Sequence, residues 1–236
     1  MARFKEQLRK SWMLLSVVVI SALVRCTMRL TITGGQNIPR TGGHLLAANH
    51  VSLLDPLLLA WAVLKRFPFS PLNAPAKEEL FRNPALGLLL RSWGVFPVRR
   101  NGRDLASIRK LLDLLRTRRV MMFPEGTRST TGELGKGNRV VGRLVFESRP
   151  VVIPVGVTGT QQILPKGKSL PRLFRKVRLD FGPAVDLESC YHLPACKETY
   201  EEILRRIMAA IASQLGKHRQ GNLIGRVAEP EMVGTR

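Results

Sequence analysis

The sequence predicts an α/β fold with a single mixed central sheet flanked by helices, preceded by an N-terminal apolar helix at a membrane interface. Short aliphatic segments alternate with longer helical patterns along most of the chain, which is typical of an α/β architecture. The 236 residues, 44% of them hydrophobic, suffice for one sizeable core. We therefore predict a membrane-anchoring helix over residues 1–28, one globular domain over 29–216 and a flexible tail over 217–236.

The N-terminal apolar run extends from Ser11 to Val24 and has basic residues on both sides. Its 14 residues, at a helical rise of about 1.5 Å, reach roughly 21 Å, which is short of the ~30 Å hydrocarbon core. We expect a helix lying in the interface, with Lys10, Arg25 and Trp12 near the lipid headgroups. A cleaved signal peptide and a buried helix are the alternatives, and the residues after the run offer no clear small-x-small cleavage site.

The predicted strands are six short segments bounded by Gly, Pro or charged residues, with residues 69–76 as a weaker seventh. They are Arg29–Thr33, His44–Ala48, Val95–Val98, Val120–Phe123, Val151–Val157 and Val177–Phe181. Apolar residues at three- and four-residue intervals predict the helices. These are Pro56–Lys65, Glu78–Trp93, Arg103–Arg118, Arg139–Glu147 and Pro194–Leu215. The two kinds of segment alternate, as one sheet with flanking helices requires.

The chain is strongly basic, with 38 Lys and Arg against 17 Asp and Glu and a formal net charge of +21. This charge predicts anionic partners, namely nucleic acid, acidic lipid headgroups or phosphorylated and acidic substrates. The three cysteines lack C-x-x-C spacing, which argues against a disulfide framework or a zinc site. We therefore expect no metal and a reducing cytoplasmic environment.

The strongest local signal is the segment Asn49–Asp55, between a predicted strand and a predicted helix. A histidine at the carboxyl end of a strand faces the crevice where open α/β sheets bind ligands, and imidazole suits general-base chemistry. Pro56 favours the first helical position and disfavours helical geometry at Asp55, which predicts a turn that brings Asp55 back to His50. The alternative is that Asp55 only caps the helix, alone or in a capping box with Ser52.

A second candidate constellation is the turn Phe123–Ser129, at the carboxyl end of another predicted strand. Its glycine permits close backbone approach, its hydroxyls can donate hydrogen bonds, its arginine can bind phosphate bidentately and its carboxylate can orient a substrate hydroxyl. A polar turn with a surface arginine is the alternative. The candidate residues are Glu125, Gly126, Thr127, Arg128 and Ser129.

Together, His50-x-x-x-x-Asp55 and Phe123-Pro124-Glu125-Gly126-Thr127-Arg128-Ser129 resemble the motifs of the 1-acylglycerol-3-phosphate acyltransferase family of glycerophospholipid synthesis. Two weaker blocks agree in order and spacing. The segment Gly94–Arg100 resembles the family's second block, and Val152–Val155 resembles its fourth. The resemblance covers roughly residues 29–183.

The resemblance implies acyl transfer from a thioester to the free hydroxyl of 1-acylglycerol-3-phosphate, giving phosphatidic acid, with His50 as base and Asp55 as its partner. It also implies that Gly126, Arg128 and either Arg99 or Arg100 hold the acceptor phosphate, and that Pro154 lies near the acyl donor. The donor is acyl-CoA or acyl carrier protein, as a co-substrate, and no further cofactor is expected.

One segment departs from the family pattern. Many relatives carry a Phe-Lys-x-Gly stretch after the third block, whereas Leu134-Gly135-Lys136-Gly137 is shorter and lacks the aromatic residue. We keep Lys136 as a candidate substrate-binding residue, with its role left open by this departure.

The expected partners are the phospholipid bilayer, lysophosphatidic acid and the acyl donor, at the cytoplasmic face of the inner (plasma) membrane. Other acceptors, such as glycerol-3-phosphate or another lyso-lipid, fit the same residues. A basic nucleic-acid-binding protein and a non-catalytic lipid-binding module are the alternatives from other classes. An aromatic content of 6% and the lack of a familiar nucleic-acid-binding motif argue against nucleic acid.

Overall fold

The computed structural model describes residues 2–98, 105–164 and 170–227, with side chains described over 6–98, 105–164 and 170–216. The strands are β1 (Met28–Thr33), β2 (His44–Ala48), β3 (Ala74–Lys77), β4 (Val95–Val98), β5 (Arg119–Met122), β6 (Val151–Thr158) and β7 (Arg175–Phe181). The helices are α1 (Ala2–Thr27), α2 (Leu54–Arg66), α3 (Pro84–Ser92), α4 (Leu105–Thr117), α5 (Arg139–Ser148), α6 (Thr160–Ile163), α7 (Glu188–Tyr191) and α8 (Lys197–Val227). Single 3₁₀ turns occupy Gly35–Asn37 and Glu78–Phe81.

The central sheet is mixed and has the strand order β1-β7-β6-β2-β5. Strand β2 is parallel to both β5 and β6, β1 is parallel to β7, and β6 is antiparallel to β7. Strands β3 and β4 form a separate parallel pair, joined to β5 by a single bridge between Asn73 and Val120. The predicted α/β class is confirmed, with this two-stranded extension added to the expected sheet. We call the edge at which β2, β5 and β6 end, and β1 and β7 begin, the upper edge.

The core lies on both faces of β2, whose five residues are all buried. Leu46 and Ala48 pack towards α1 and α2, whereas Leu45 and Ala47 pack towards α4, α5 and α8. Alternate side chains of a strand point to opposite faces, so helices cover this sheet on both sides and the strand reads as one continuous apolar run. Each fully buried leucine stabilises the fold by roughly 1.5–3 kcal/mol.

Helix α1 is longer than the apolar run suggested. The helix occupies nearly all of the predicted residues 1–28, and by length and composition alone its segment Glu6–Thr27 could cross a membrane. Whether it lies in the interface stays a prediction. The same criterion is also met by core helices and by signal sequences. One stripe of α1 is buried against the domain, at Met13, Ser16, Ile20 and Val24, which follow helical spacing.

All three tryptophans of the chain donate their indole N–H to serine hydroxyls, and each pair links α1 to α2 or to the α3 region. The indole N–H of the buried Trp61 needs an acceptor, and the three bonds together fix the rotation of α1 on the domain. The pairs are Trp12 with Ser92 at 2.9 Å, Trp61 with Ser21 at 2.9 Å and Trp93 with Ser16 at 3.3 Å.

Two helices differ most from the prediction, whereas the bounds of the other predicted helices shift by only one or two residues. The segment Glu78–Trp93 was predicted as one helix, but a 3₁₀ turn ends at Phe81 and α3 begins at Pro84. The break occurs because Pro84 disfavours helical geometry before it, and the Asn83 side chain accepts a hydrogen bond from Leu86 N at 3.1 Å as an N-cap.

The C-terminal helix also differs, because α8 continues to Val227 through part of the segment expected as a tail from residue 217. Extending an existing helix requires less ordering per hydrogen bond than nucleating a new one, so a polar sequence can continue it. Residues 228–236 of the expected tail lie outside the described residues.

Candidate active site

His50 and Asp55 meet at the upper edge, directly after β2. The His50 Nδ1 atom lies 2.8 Å from Asp55 Oδ2. Helix α2 begins at Leu54, so Asp55 lies within its first turn and not before the helix, as we had expected from Pro56. The reversal occurs earlier, over residues 51–53, and it still brings the carboxylate to the imidazole.

The Asp55 carboxylate is fully buried and accepts four hydrogen bonds. Oδ2 accepts from His50 Nδ1 and, at 2.7 Å each, from the backbone N–H groups of Val51 and Ser52. Oδ1 accepts from Thr160 Oγ1 at 2.6 Å. The bond from Ser52 N is half of a capping box, so the capping role and the contact with His50 coexist. In the arrangement in which Oδ2 accepts from Nδ1, the neutral imidazole carries its proton on Nδ1.

The His50 ring is held from one side by an aromatic contact. It stacks on Phe123 with a centroid distance of 4.0 Å and an interplanar angle of 18°. The side chain is 16% exposed. Because Asp55 occupies Nδ1, Nε2 is the nitrogen that can accept a proton from a substrate.

Thr160 was missed by the sequence reasoning. It is buried at the start of α6, immediately after β6, and its hydroxyl donates to Asp55 across 105 positions of sequence. The preceding Gly159 has φ 87°, and a Cβ there would lie 2.0 Å from the backbone oxygen of Lys176. A hydroxyl residue after a glycine at a strand's carboxyl end is the signal that could have identified it.

Asn49 fixes the end of β2 to the neighbouring strand. Its Nδ2 donates to Val157 O at 2.9 Å, and its Oδ1 accepts from Val157 N at 2.7 Å. The side chain thereby reproduces a strand-pairing contact at the point where the backbone of β2 turns away. The residue before His50 is thus anchored to β6, which also leads to Thr160.

Glu125 contacts the turn that contains His50. Its Oε1 accepts from His50 N at 2.9 Å, and its Oε2 accepts from Gly135 N at 2.8 Å. In the same region Ser129 N donates to His50 O at 2.8 Å. Both carboxylate oxygens thus bind backbone N–H groups, one of them that of His50. The expected contact between Glu125 and a hydroxyl of the acceptor stays a prediction.

The remaining residues of the Phe123–Ser129 turn lie on the same edge as His50. Gly126 is exposed with φ 70°, and no atom lies within 4 Å of the place of a Cβ, so its backbone conformation rather than crowding requires glycine. Thr127 is exposed, whereas Arg128 and Ser129 are half-buried. The loop is closed at its base by Asn138 N, which donates to Pro124 O at 2.7 Å.

The structure does not bring every predicted residue to the site. Pro154 is buried inside β6, opposite Ala47 of β2 and four residues before the strand ends at the upper edge. Its proximity to the acyl donor stays a prediction. Lys136 is exposed next to Gly135, which binds Glu125. Arg99 and Arg100 lie outside the described residues.

Comparisons with known proteins agree with these motifs. The family model described as Acyltransferase matches residues 29–158. The chain is 26% identical over 161 residues to the 1-acyl-sn-glycerol-3-phosphate acyltransferase of Borreliella burgdorferi, covering 67% of this chain and 62% of that protein. It is 26% identical over 174 residues to the enzyme of the same name from Bacillus subtilis, covering 70% and 81%.

A solved structure is also similar. The 1-acyl-sn-glycerophosphate acyltransferase PlsC from Thermotoga maritima matches with a TM-score of 0.58 and 26% identity, over 77% of this chain and 71% of that one. The chain spans less than two thirds of the length of the Borreliella protein. The family match covers more than half of the chain and includes both turns of the site. The chain therefore belongs to the Acyltransferase family.

Proposed function

We propose that the protein transfers a fatty acyl group from an acyl thioester to the free hydroxyl of 1-acylglycerol-3-phosphate, producing phosphatidic acid. The observation that most supports this function is the 2.8 Å contact between His50 and the buried Asp55, on the edge that also holds the Glu125–Ser129 turn. Relatives named as 1-acyl-sn-glycerol-3-phosphate acyltransferases suggest the acceptor.

In the proposed reaction His50 acts as a general base. Nε2 takes the proton of the acceptor hydroxyl while the hydroxyl oxygen attacks the thioester carbonyl carbon. The tetrahedral oxyanion then re-forms the carbonyl, breaks the C–S bond and expels the thiolate, which recovers the proton from Nε2. No acyl-enzyme is needed. General-base catalysis contributes typically ~10² to 10⁴-fold, so positioning of both substrates must supply much of the remaining acceleration.

The acceptor phosphate is proposed to bind on the Gly126–Ser129 turn. Gly126 has no side chain and lets a phosphate approach the turn closely, the Arg128 guanidinium can bind it, and Thr127 and Ser129 add hydroxyl donors. Arg99 or Arg100 from the preceding block and the exposed Lys136 are further proposed contacts. This assignment leaves Glu125 to hold the His50 backbone.

The acyl donor is proposed to be acyl-CoA or acyl carrier protein, without a further cofactor. Both donors are anionic, and both match the net charge of +21. Because the two present the same thioester, the residues that perform the chemistry do not discriminate between them. Direct competition between the donors in the transfer assay separates the two.

We further propose that α1 attaches the enzyme to the cytoplasmic face of the membrane and lies along its surface. Helix α1 is bound to the domain through Trp12, Ser16 and Ser21, and a perpendicular span would require these contacts to separate or the domain to enter the bilayer. Its other side presents exposed apolar residues suited to an interfacial helix. These are Leu14, Leu15, Val18, Val19 and Leu23.

The decisive experiment compares His50→Ala with wild type in a radiolabelled acyl-transfer assay over several lyso-lipid acceptors and both donors. We expect turnover to fall by about 10² to 10⁴-fold while membrane binding and acceptor binding persist. His192→Ala is the matched control, because the His192 side chain is 76% exposed and distant in sequence from either turn. Normal turnover in His50→Ala would reject the proposed function, and transfer to glycerol-3-phosphate alone would change the acceptor.

A further inference from the structure

The segment Leu170–Phe174, between α6 and β7, exposes three large apolar side chains. Leu170 is 83% exposed, Phe174 is 64% exposed and Leu173 is 45% exposed. Single exposed hydrophobic residues are common on protein surfaces, but three within five positions form a protruding apolar group. Phe174 has φ 58°, in the left-handed region that aromatic residues rarely adopt, so the backbone holds this ring outward at some conformational cost.

The segment is attached to the upper edge by backbone hydrogen bonds. Phe174 N donates to Thr27 O, the last residue of α1, at 2.6 Å. Arg172 N donates to Ile163 O at 2.8 Å, and the next residue, Leu164, accepts from Ser52 Oγ at 3.1 Å. Ser52 also donates its N–H to Asp55. The apolar segment is therefore connected both to the end of α1 and to the turn that holds the His50–Asp55 pair.

The charges around the segment are basic. Arg172, Arg175 and Lys176 are all exposed beside the three apolar side chains. Basic residues bordering protruding leucine and phenylalanine match a surface that is anionic at the headgroups and apolar beneath, which is an anionic phospholipid bilayer. An acidic protein would satisfy the cations but would provide no general counterpart for the exposed apolar group.

We propose that Leu170–Phe174 inserts into the headgroup boundary of an anionic bilayer as a second attachment beside α1. The inference rests on the proposed function, since it places the upper edge and His50 against the lipid surface that contains the acceptor. A lysophospholipid then reaches the site by lateral movement, with its acyl chain remaining in the bilayer. The second attachment adds a contact beyond the end of α1, beside the turn that holds the His50–Asp55 pair, and so strengthens the orientation that α1 gives the domain.

The test uses a fluorescent reporter of apolar surroundings attached to the full-length chain. Leu170→Cys is labelled with a nitrobenzoxadiazole group after Cys26→Ser and Cys196→Ser, and Cys190 is retained because it is fully buried. The matched control places the same label at Thr41→Cys, an exposed position before β2 at the opposite edge of the sheet. Both proteins are reconstituted in phosphatidylcholine vesicles, with or without phosphatidylglycerol and with spin-labelled lipid as quencher.

We expect the label at position 170 to shift to shorter wavelength and to be quenched by the spin-labelled lipid, more strongly with phosphatidylglycerol, while the label at 41 stays in water. Arg172→Gln and Arg175→Gln should each lower the inserted-to-solvated ratio by about fivefold. Equal behaviour at positions 170 and 41 would overturn the proposal. A shift that requires acyl carrier protein instead of vesicles would overturn the proposal and identify a protein-docking surface. Equal quenching in neutral and anionic vesicles would contradict the proposed preference for an anionic bilayer.

The same measurement on His50→Ala separates this inference from the proposed function. Insertion depends on the loop and not on turnover, so the quenching should be the same in the active protein and in His50→Ala. A protein that inserts but transfers no acyl group would contradict only the proposed function. A protein that transfers acyl groups with a solvated label at 170 would contradict only the inference.

Discussion

Two histidines lie at the two ends of β2 and have opposite surroundings. His44, at the amino end, is fully buried, and its Nδ1 lies 3.1 Å from Gly42 O. Burial, with a smaller contribution from the positive charge of Arg119, lowers the pKa of His44 to about 4. His50, just beyond the carboxyl end, is partly exposed and is bound to the carboxylate of Asp55.

The difference shows that the position of a histidine along the strand determines whether its imidazole is available for proton transfer. At the lower end, a cation and an apolar core keep His44 neutral, and its Nε2 has no hydrogen-bond partner in the part of the chain that the structure describes. At the upper edge, a carboxylate holds the ring through Nδ1, which leaves Nε2 as the nitrogen that can accept a proton. The carboxyl ends of parallel strands are where open α/β sheets bind ligands, and β2, β5 and β6 all end there.

Among the changes that test this contrast between the two ends of β2, Thr160→Val should lower kcat the most. The change preserves the shape of the side chain but removes the hydroxyl that donates to Asp55 Oδ1. A hydrogen bond to a charged group is worth about 1.5–3 kcal/mol, so we expect kcat to fall roughly 10- to 100-fold with KM nearly unchanged. Steady-state kinetics measure kcat and KM separately.

Thr160→Ser is the control for that change, because it retains the hydroxyl and should recover most of the lost kcat. If Thr160→Val lowered only the melting temperature and left kcat intact, Thr160 would be structural. The catalytic surroundings of His50 would then consist of Asp55 and its other partners, without Thr160.

A second test, Glu125→Gln, is expected to have a smaller effect. The amide retains one acceptor oxygen but places an NH₂ group against one of the two backbone donors, His50 N or Gly135 N. We expect about a tenfold loss in kcat with little change in KM for the acceptor. A raised acceptor KM with normal kcat would instead support the original expectation that Glu125 binds a substrate hydroxyl.

The smallest effect on activity is expected from His44→Gln. Because the pKa of His44 falls from its ordinary 6.5 to about 4 on folding, the unfolded chain binds the proton more readily. Stability from the neutral imidazole is therefore present above pH 6.5 and is lost as the pH falls towards 4. The loss is up to about 1.4 kcal/mol per pH unit.

The variant should weaken this acid dependence in denaturant unfolding measured between pH 4 and pH 6.5, the limits set by the two pKa values, and kcat at neutral pH should remain normal. If the variant lost stability at low pH as the wild type does, groups other than His44 would cause that loss. A large loss of kcat would contradict the structural assignment of His44.

Much of the fold was predictable because it depends on local patterns. The buried strand β2 appears in the sequence as the apolar segment Leu45–Ala48 preceded by His44, and its predicted bounds match the structure at both ends. The break at Asn83–Pro84 was visible in principle, since proline disfavours the helix before it, but the leucine periodicity on both sides obscured it. The bounds of α1, Ala2–Thr27, lie close to those of the helix predicted over residues 1–28, whereas the apolar run from Ser11 to Val24 marks only its more hydrophobic part.

The sequence by itself determined the order of strands and helices, the His50–Asp55 and Glu125–Ser129 motifs and the family resemblance, because these depend on neighbouring residues and their spacing. Only the tertiary structure decided that Thr160 donates to Asp55, that Glu125 holds the His50 backbone, that Pro154 is buried and that three tryptophans attach α1. Such contacts join residues distant in sequence, and they exist only when strand order and register bring separate segments together.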